Sequence, residues 1–421
     1  RIGPPPVALT PPPTQDRSVS DGTQQPSRQD LDRRHFLAGA AAGAATAAVG
    51  ITACDTPRGH KPDTTTTATP TAAIERERHR PGTSDWRIHA TGPPDAVQGF
   101  ADKVSVLPGE EFGLYVSTTA PGFRVSAYRI GWYGGAQARR VWRSDRVAGR
   151  VQRGPRLIAA TRTVRADWAR SLTVRTDGWP EGAYLLRLDA EHGHQRYVPL
   201  IVRSASARGR TVLMHAPATW QAYNLWGGLD LYQGEGGAYS TRSLAVSFDR
   251  PYDKNGADKF MVYERAVVVL AERLGLPLAY TTGIDVHADP SALNGATAVV
   301  ALGHDEYWTP EQRRHVTRAR DAGTNVAFLG ANTCFRRIRL ERTARTAAKT
   351  STNMGTSTTG TTATARTNGT TATSSTTTAS TANSADLRTV VCYKTDFRAD
   401  PYLATHPTMA TTDFRQPPGA D

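Results

Sequence analysis

A long break in the apolar text of the chain constrains it most. From Thr343 to Ala385 there is no Leu, Ile, Val or aromatic residue, only Thr, Ser, Ala, Gly and Asn with Met354 and a few charges. Such a stretch has nothing to bury in return for ordering its backbone, so 343–386 is expected to be a disordered Thr/Ser-rich insertion. Residues 1–30, rich in Pro, Gln, Ser and Asp without apolar periodicity, are expected to be disordered for the same reason. With a Thr/Pro-rich linker at 55–84, these segments leave about 290 of the 421 residues to build cores.

Residues 1–54 end in what reads as an export signal. Asp32-Arg33-Arg34-His35-Phe36-Leu37 precedes an uncharged Ala/Gly-rich run from Ala38 to Ala53, which closes on Ile51-Thr52-Ala53-Cys54. Paired arginines, about sixteen uncharged residues and a small-residue exit are too short for a stable membrane-spanning helix. The segment resembles a twin-arginine signal followed by a bacterial lipobox. That resemblance implies lipidation of Cys54, export, and residence at the extracytoplasmic face of the membrane through a lipid anchor alone.

The formal charge of +13 invites a nucleic-acid partner, but its distribution argues otherwise. Residues 1–84 carry +2, residues 85–207 carry +7, and the remaining +4 is spread over the rest. Only six of the basic residues are Lys, and no stretch interleaves aromatics with mixed Lys and Arg as a polyanion groove does. Three Cys cannot make a disulfide scaffold, and 38% hydrophobic residues with a mean hydropathy of −0.46 do not fit a polytopic membrane protein.

The foldable text comes in two periods. Residues 85–207 alternate apolar and polar positions in Val104–Leu107, Phe112–Ser117, Phe123–Ile130, Ser171–Val174, Ala183–Leu188 and Tyr197–Val202, with no helical segment between them. This predicts an antiparallel β-sandwich of immunoglobulin-like type with a structural role. Trp132-Tyr133-Gly134-Gly135 reads as a packed corner in preference to an exposed carbohydrate platform. Residues 208–342, resuming at 387–421, alternate continuously apolar strands (Val212–Met214, Leu278–Thr281, Ala298–Leu302, Val326–Leu329) with helices (Phe260–Leu274, Pro310–Ala322). That predicts an α/β domain with a mostly parallel sheet, flavodoxin- or amidotransferase-like, and a fold class of multidomain β plus α/β. The first of these helices is expected to bury Val262, Ala266, Val269, Leu270 and Leu274.

Ligands of such sheets bind outside the carboxyl ends of the strands. His215, Gly303-His304-Asp305-Glu306-Tyr307-Trp308 and Gly330-Ala331-Asn332-Thr333-Cys334 each follow a predicted strand, and a Gly- and aromatic-rich loop runs from Thr219 to Ser240. Long loops in compact domains are usually functional. A Cys334-His304-Glu306 set would make a cysteine hydrolase, although Thr333-Cys334-Phe335 lacks the Gly-flanked elbow such nucleophiles need. Alternatively Cys334 pairs with Cys392 after export, as the two thiols left once Cys54 is lipidated.

The segments Thr219-Trp220-Gln221-Ala222-Tyr223-Asn224, Gly303–Trp308 and Gly330–Thr333 resemble the C-terminal domain of the large (beta) subunit of N,N-dimethylformamidase. The likeness covers about 210–342, resumes from 387, and suits the preceding sandwich. It implies a mononuclear ferric iron held by two tyrosines and a glutamate: Tyr223 and Glu306 match, Tyr232 is the choice for the second tyrosine with Tyr263 the alternative, and His304 and Asn332 fall in the positions of groups that back the ligands or face the substrate. Phenolate and carboxylate are hard donors suited to Fe3+. Relatives continue beyond the segment matching Thr412–Arg415, so the α/β domain reads as truncated. The expected activity is iron-dependent hydrolysis of a small amide, with a homo-oligomer compatible with the sequence. A non-catalytic cell-surface binding lipoprotein is the other reading.

Overall fold

The computed structural model describes residues 75–343 and 386–415; Arg33, Arg34, Cys54 and nearly all of the Thr/Ser-rich tract lie outside them. No described helix is long and apolar enough to cross a membrane. The first block contains eleven strands: β1 (Val97–Ala101), β2 (Ser105–Val106), β3 (Glu111–Thr118), β4 (Gly122–Ile130), β5 (Ala138–Arg143), β6 (Val147–Ala148), β7 (Arg156–Ile158), β8 (Thr163–Arg165), β9 (Leu172–Arg175), β10 (Gly182–Ala190) and β11 (Gln195–Val202). They form a sheet of order β1-β3-β9 and a larger sheet of order β2-β11-β10-β4-β5, with β7 and β8 a separate pair. Val97, Leu114 and Val116 of the first sheet meet Val125, Leu186 and Leu200 of the second in one core, as in a two-layer sandwich.

Strict alternation fails in the larger sheet. In β4 only Arg124 is exposed. The cause is the second block, which packs on the outer face: Tyr128, Ile130, Leu185 and Ile201 share a cluster with Phe260, Val268, Leu278 and Tyr280. The Trp132–Gly135 corner is packed, with the buried Tyr133 hydroxyl 2.7 Å from Glu77.

The second block runs β12 (Thr211–His215), α1 (Pro217–Ala222), β13 (Ala245–Ser247), α2 (Asp258–Tyr263), α3 (Arg265–Arg273), β14 (Leu278–Thr282), α4 (Gly283–Ala288), β15 (Ala298–Ala301), β16 (Tyr307–Trp308), α5 (Pro310–Asp321), β17 (Asn325–Phe328), β18 (Arg336–Arg337), β19 (Arg339–Arg342) and β20 (Leu387–Val391). Its central sheet, β14-β12-β15-β17, is parallel throughout. Thr309 caps α5 by accepting the Gln312 N–H at 3.0 Å, and Pro310 follows as the first helical residue. A smaller antiparallel sheet, β13-β20-β19, joins the two sides of the Thr/Ser-rich tract, with Arg342 opposite Leu387. Closing a longer loop between paired strands costs little extra, since the entropy grows only with the logarithm of its length.

The predicted helix at 260–274 needs correction. It is two helices meeting at Glu264, and of the five residues expected inside, only Val269 is buried; Val262, Leu270 and Leu274 are exposed. Glu264 turns inward to accept from Trp220 Nε1 at 2.7 Å and to pair with His215 Nδ1 at 2.5 Å, which resets the face that follows. The Cys334–Cys392 disulfide is also absent. Cys392 is fully buried in the cluster with Val246 and Ile338, whereas Cys334 packs beside a different one containing Val299 and Phe414.

The two blocks are tied by a buried network. Glu272 Oε1 lies 2.5 Å from Arg129 Nη2 and 2.7 Å from the Tyr280 hydroxyl, with both members of the ion pair fully buried. Removing one partner leaves an uncompensated charge in the interior, which costs about 3–5 kcal/mol. Glu272→Ala is therefore expected to lower the urea midpoint by that equivalent with the m-value retained; an unchanged midpoint would show that the pair does not hold the blocks together.

Candidate functional site

Three segments converge at the carboxyl end of the parallel sheet. α1 follows β12 and ends in Tyr223. The connection out of β15 carries His304 and Glu306 and leads into Tyr307, the first residue of β16. The glycine-rich loop after α1 carries Tyr232. Two glycines permit the approach of the flanking loops: Gly303 has φ 51°, and a Cβ at Gly330 would overlap the Gly303 carbonyl. Thr219 of α1 fixes the central loop, its Oγ1 accepting the backbone N–H of Glu306 at 3.1 Å and of Tyr307 at 3.3 Å.

The Glu306 carboxylate is the hub. The Tyr223 hydroxyl lies 2.6 Å from its Oε2, and the Tyr232 hydroxyl lies 2.8 and 2.9 Å from its two oxygens. The two phenol oxygens are 2.9 Å apart and their rings stack with centroids 4.5 Å apart. His304 Nε2 sits 3.0 Å from the Tyr223 oxygen and 3.2 Å from Glu306, while its Nδ1 is held 3.2 Å from the Ala331 carbonyl. All three residues proposed as ligands on sequence grounds are thus in mutual contact.

Tyr263 does not join them. It is partly exposed, and its ring lies 5.5 Å from that of His304 with no hydrogen bond to the carboxylate. Asn332 is exposed in a left-handed conformation (φ 57°) on the loop that supplies the Ala331 carbonyl, and its side chain makes no hydrogen bond to the cluster among the described residues. His215 is likewise not at the rim but fully buried against Glu264. Of the cysteine-hydrolase set, His304 and Glu306 are in contact, with the His304 nitrogens also hydrogen-bonded to Tyr223 and to the Ala331 carbonyl.

Sequence reasoning missed four neighbours. Tyr307, fully buried, places its hydroxyl 2.8 Å from the Tyr232 oxygen. Lys394 lies 3.1 Å from the centroid of the Tyr232 ring and donates to the Leu231 carbonyl at 2.7 Å. Arg336 Nε is 3.5 Å from Glu306, and Lys259 lies 4.9 Å from the Tyr223 ring. Tyr307 was visible only as the neighbour of Glu306; Lys394 is 88 residues beyond Glu306, across the Thr/Ser-rich tract, where no local pattern reaches.

Burial alone would raise the Glu306 carboxyl, but hydrogen bonds with His304, Tyr223 and Tyr232 outweigh it and hold the group below its ordinary value. The bond to Glu306 raises His304 above its ordinary value, against the opposing effect of burial. Burial and then the bond to Glu306 push the Tyr223 phenol far up, and burial followed by the Glu306 charge does the same to Tyr232. Burial brings Lys394 down to about 7. Without a metal, these oxygens share protons around one negative charge. Among the described residues no group of three or more His, Cys, Asp or Glu could hold a metal ion; this cluster takes two of its three oxygens from phenols. A cavity of about 650 Å3 bounded by Arg203, Tyr280, Asp285 and Asn294 shares no lining residue with it.

Fold and site together define a class: an α/β domain, backed by a β-sandwich, that gathers phenol and carboxylate oxygens at the carboxyl edge of a parallel sheet. The chain belongs to the family described as N,N-dimethylformamidase beta subunit-like, C-terminal, whose model matches residues 124–421, from β4 onward. At the coarse level, that family suggests a dimethylformamidase-like hydrolase. No curated protein matches the chain. Among solved structures, the Paenibacillus sp. cycloisomaltooligosaccharide glucanotransferase complexed with cycloisomaltoheptaose matches at 9% identity and a TM-score of 0.17. That match covers 57% of this chain and 28% of the glucanotransferase, and carries no argument about fold or function.

In the metal-free protein the folded-state value of His304 lies above 6.5, so the stability it lends is complete below about pH 6.5 and is lost as pH rises through the raised value. Glu306 lies below 4.5, so its contribution is present above about pH 4.5 and is lost as pH falls through the depressed value. An NMR titration of the His304 ring is expected to give a midpoint above 6.5 that falls in Glu306→Gln; a midpoint indifferent to that substitution would rule out the pairing.

Proposed function

We propose that this protein is an iron-dependent hydrolase of small amides. The observation that carries the reading is the convergence of Tyr223, Tyr232 and Glu306, three oxygen donors within 2.6–2.9 Å of one another. Loss of the two phenolic protons would turn this proton-sharing cluster into a trianionic, hard-donor set, matched to Fe3+ in charge and softness. When bound, the ion supplies Lewis acidity toward the amide carbonyl.

The chain's own residues supply the rest. Glu306 favours the protonated form of His304, and the Ala331 carbonyl orients the ring, so Nε2 is the atom proposed to deliver a proton to the departing amine. Asn332, one residue beyond that carbonyl, is proposed as the donor to the amide oxygen as charge develops on it. Arg336 and Lys259, joined by Lys394 in its protonated form, bring positive charge to the cluster, which favours deprotonated phenols.

Export and lipidation belong to the same proposal. They rest on Arg33-Arg34 and the exit at Cys54, and the twin-arginine route suits a protein that folds around its metal before export. Cys54→Ala is expected to move the protein from the detergent phase to the aqueous phase in Triton X-114 partitioning. If the variant stays with the detergent, the anchor is elsewhere.

The purified protein is expected to contain one iron and to show a visible tyrosinate-to-iron absorption. Tyr223→Phe should weaken that absorption, and Glu306→Ala should lower iron affinity by at least the ~10–100-fold seen when even outer-sphere partners of a metal are removed, with amide hydrolysis lost alongside. A folded protein that takes up no ferric ion at all would overturn the reading.

A further inference from the structure

The neighbour of the hub carboxylate has no part in the function so far. We infer that Tyr307 is the positioning residue for Tyr232, its hydroxyl serving as a fixed hydrogen-bond donor to the phenol oxygen that faces the metal. The inference rests on the iron reading above and goes beyond it to the tuning of one ligand.

Tyr232 sits on the less constrained of the two segments that bring phenols to the site. Its loop carries Gly227-Gly228 on one side and Gly236-Gly237 on the other, all four with positive φ, and residues 235–240 are exposed. Asp230 holds the backbone by accepting the Tyr232 N–H at 2.7 Å, but it does not reach the phenol oxygen. That oxygen has two hydroxyl neighbours. The Tyr223 hydroxyl has a competing carboxylate acceptor at 2.6 Å, shorter than its 2.9 Å approach to Tyr232.

Tyr307 has no such competition. Its hydroxyl makes one hydrogen bond among the described residues, to Tyr232 at 2.8 Å. Its ring is 1% exposed, wedged among Val246, Ile338 and Cys392, and its backbone N–H is held by Thr219. A neutral hydroxyl in that position must donate, since leaving it unpaired when buried is costly. A rigid strand residue thus fixes a ligand delivered by a glycine-flanked loop, the arrangement by which outer partners orient metal ligands. The donated hydrogen bond also draws electron density from the phenolate, so more energy is needed to move an electron from it to the metal.

The test is the absorption of the iron-loaded protein. Tyr307→Phe is expected to keep iron and move the tyrosinate-to-iron band to longer wavelength, with iron affinity reduced about 10-fold; Tyr128→Phe, in the sandwich, leaves the band in place. An iron-loaded Tyr307→Phe protein whose band position is unchanged overturns the inference while leaving the iron reading intact. Wild-type protein without a tyrosinate band overturns both. Should Tyr307→Phe fail to fold, replacing Tyr307 by 3-fluorotyrosine keeps the ring and strengthens the donor: a shift to shorter wavelength upholds the inference, and an unmoved band overturns it.

Discussion

A carboxylate that is almost fully buried must be compensated on several sides, and Glu306 sets that requirement for the whole α/β domain. Its compensation comes from several segments: Tyr223 from the end of α1, Tyr232 from the loop beyond, His304 two residues before it, and Arg336 from β18. Each group must be delivered to within about 3.5 Å, so the segments that carry them are in turn held by buried polar contacts. Arg250, fully buried, donates to the carbonyls of Gln221, Asn224, Trp226 and Leu229 and so fixes the base of the loop that ends in Tyr232. Lys394 performs the same service at its far side through Leu231. Remove the Glu306 charge and Lys394 has less to offset its own desolvation.

The sandwich enters through the same logic of burial. Its larger sheet has no solvent face to spare, because the α/β domain covers the side opposite the sandwich core. Alternation along β4 is therefore a poor guide to which residues are inside, and Tyr128 and Ile130 are as buried as Val125. The Arg-rich composition of this block has a local use: Arg129 and Arg139 meet Glu272 and Glu77 in the interior and at its margin.

What could be read in advance follows from range. Strands written as continuous apolar runs were legible, as was the turn at Trp132–Gly135, because each depends on neighbours within a few residues. Tyr223, Tyr232 and Glu306 were legible as a set through their resemblance to a family and through their place after strands. The buried face of the helix pair was not, because a single inward acid, Glu264, answers to Trp220 and His215 some 44 and 49 residues away. Lys394 was not, because its significance depends on the pairing of β19 with β20. The disulfide was wrong for a similar reason: counting thiols says nothing of which hydrophobic cluster each will join.

That same strand pairing settles a tension in the sequence. A Thr/Ser-rich tract inserted beside a site would be expected to disturb it. The antiparallel register places Arg342 opposite Leu387 at the end where the tract begins and ends, and Arg339 opposite Val391 at the other. Arg336 and Lys394, the two cations that this hairpin brings to the cluster, lie at or beyond that second end. Six residues of roughly extended chain, about 20 Å at ~3.3 Å per residue, separate Arg342 from Arg336. The hairpin thus faces the site with one end and accepts the inserted residues at the other, so growth of the tract is constrained by the pairing of Arg342 with Leu387 and not by the chemistry around Glu306.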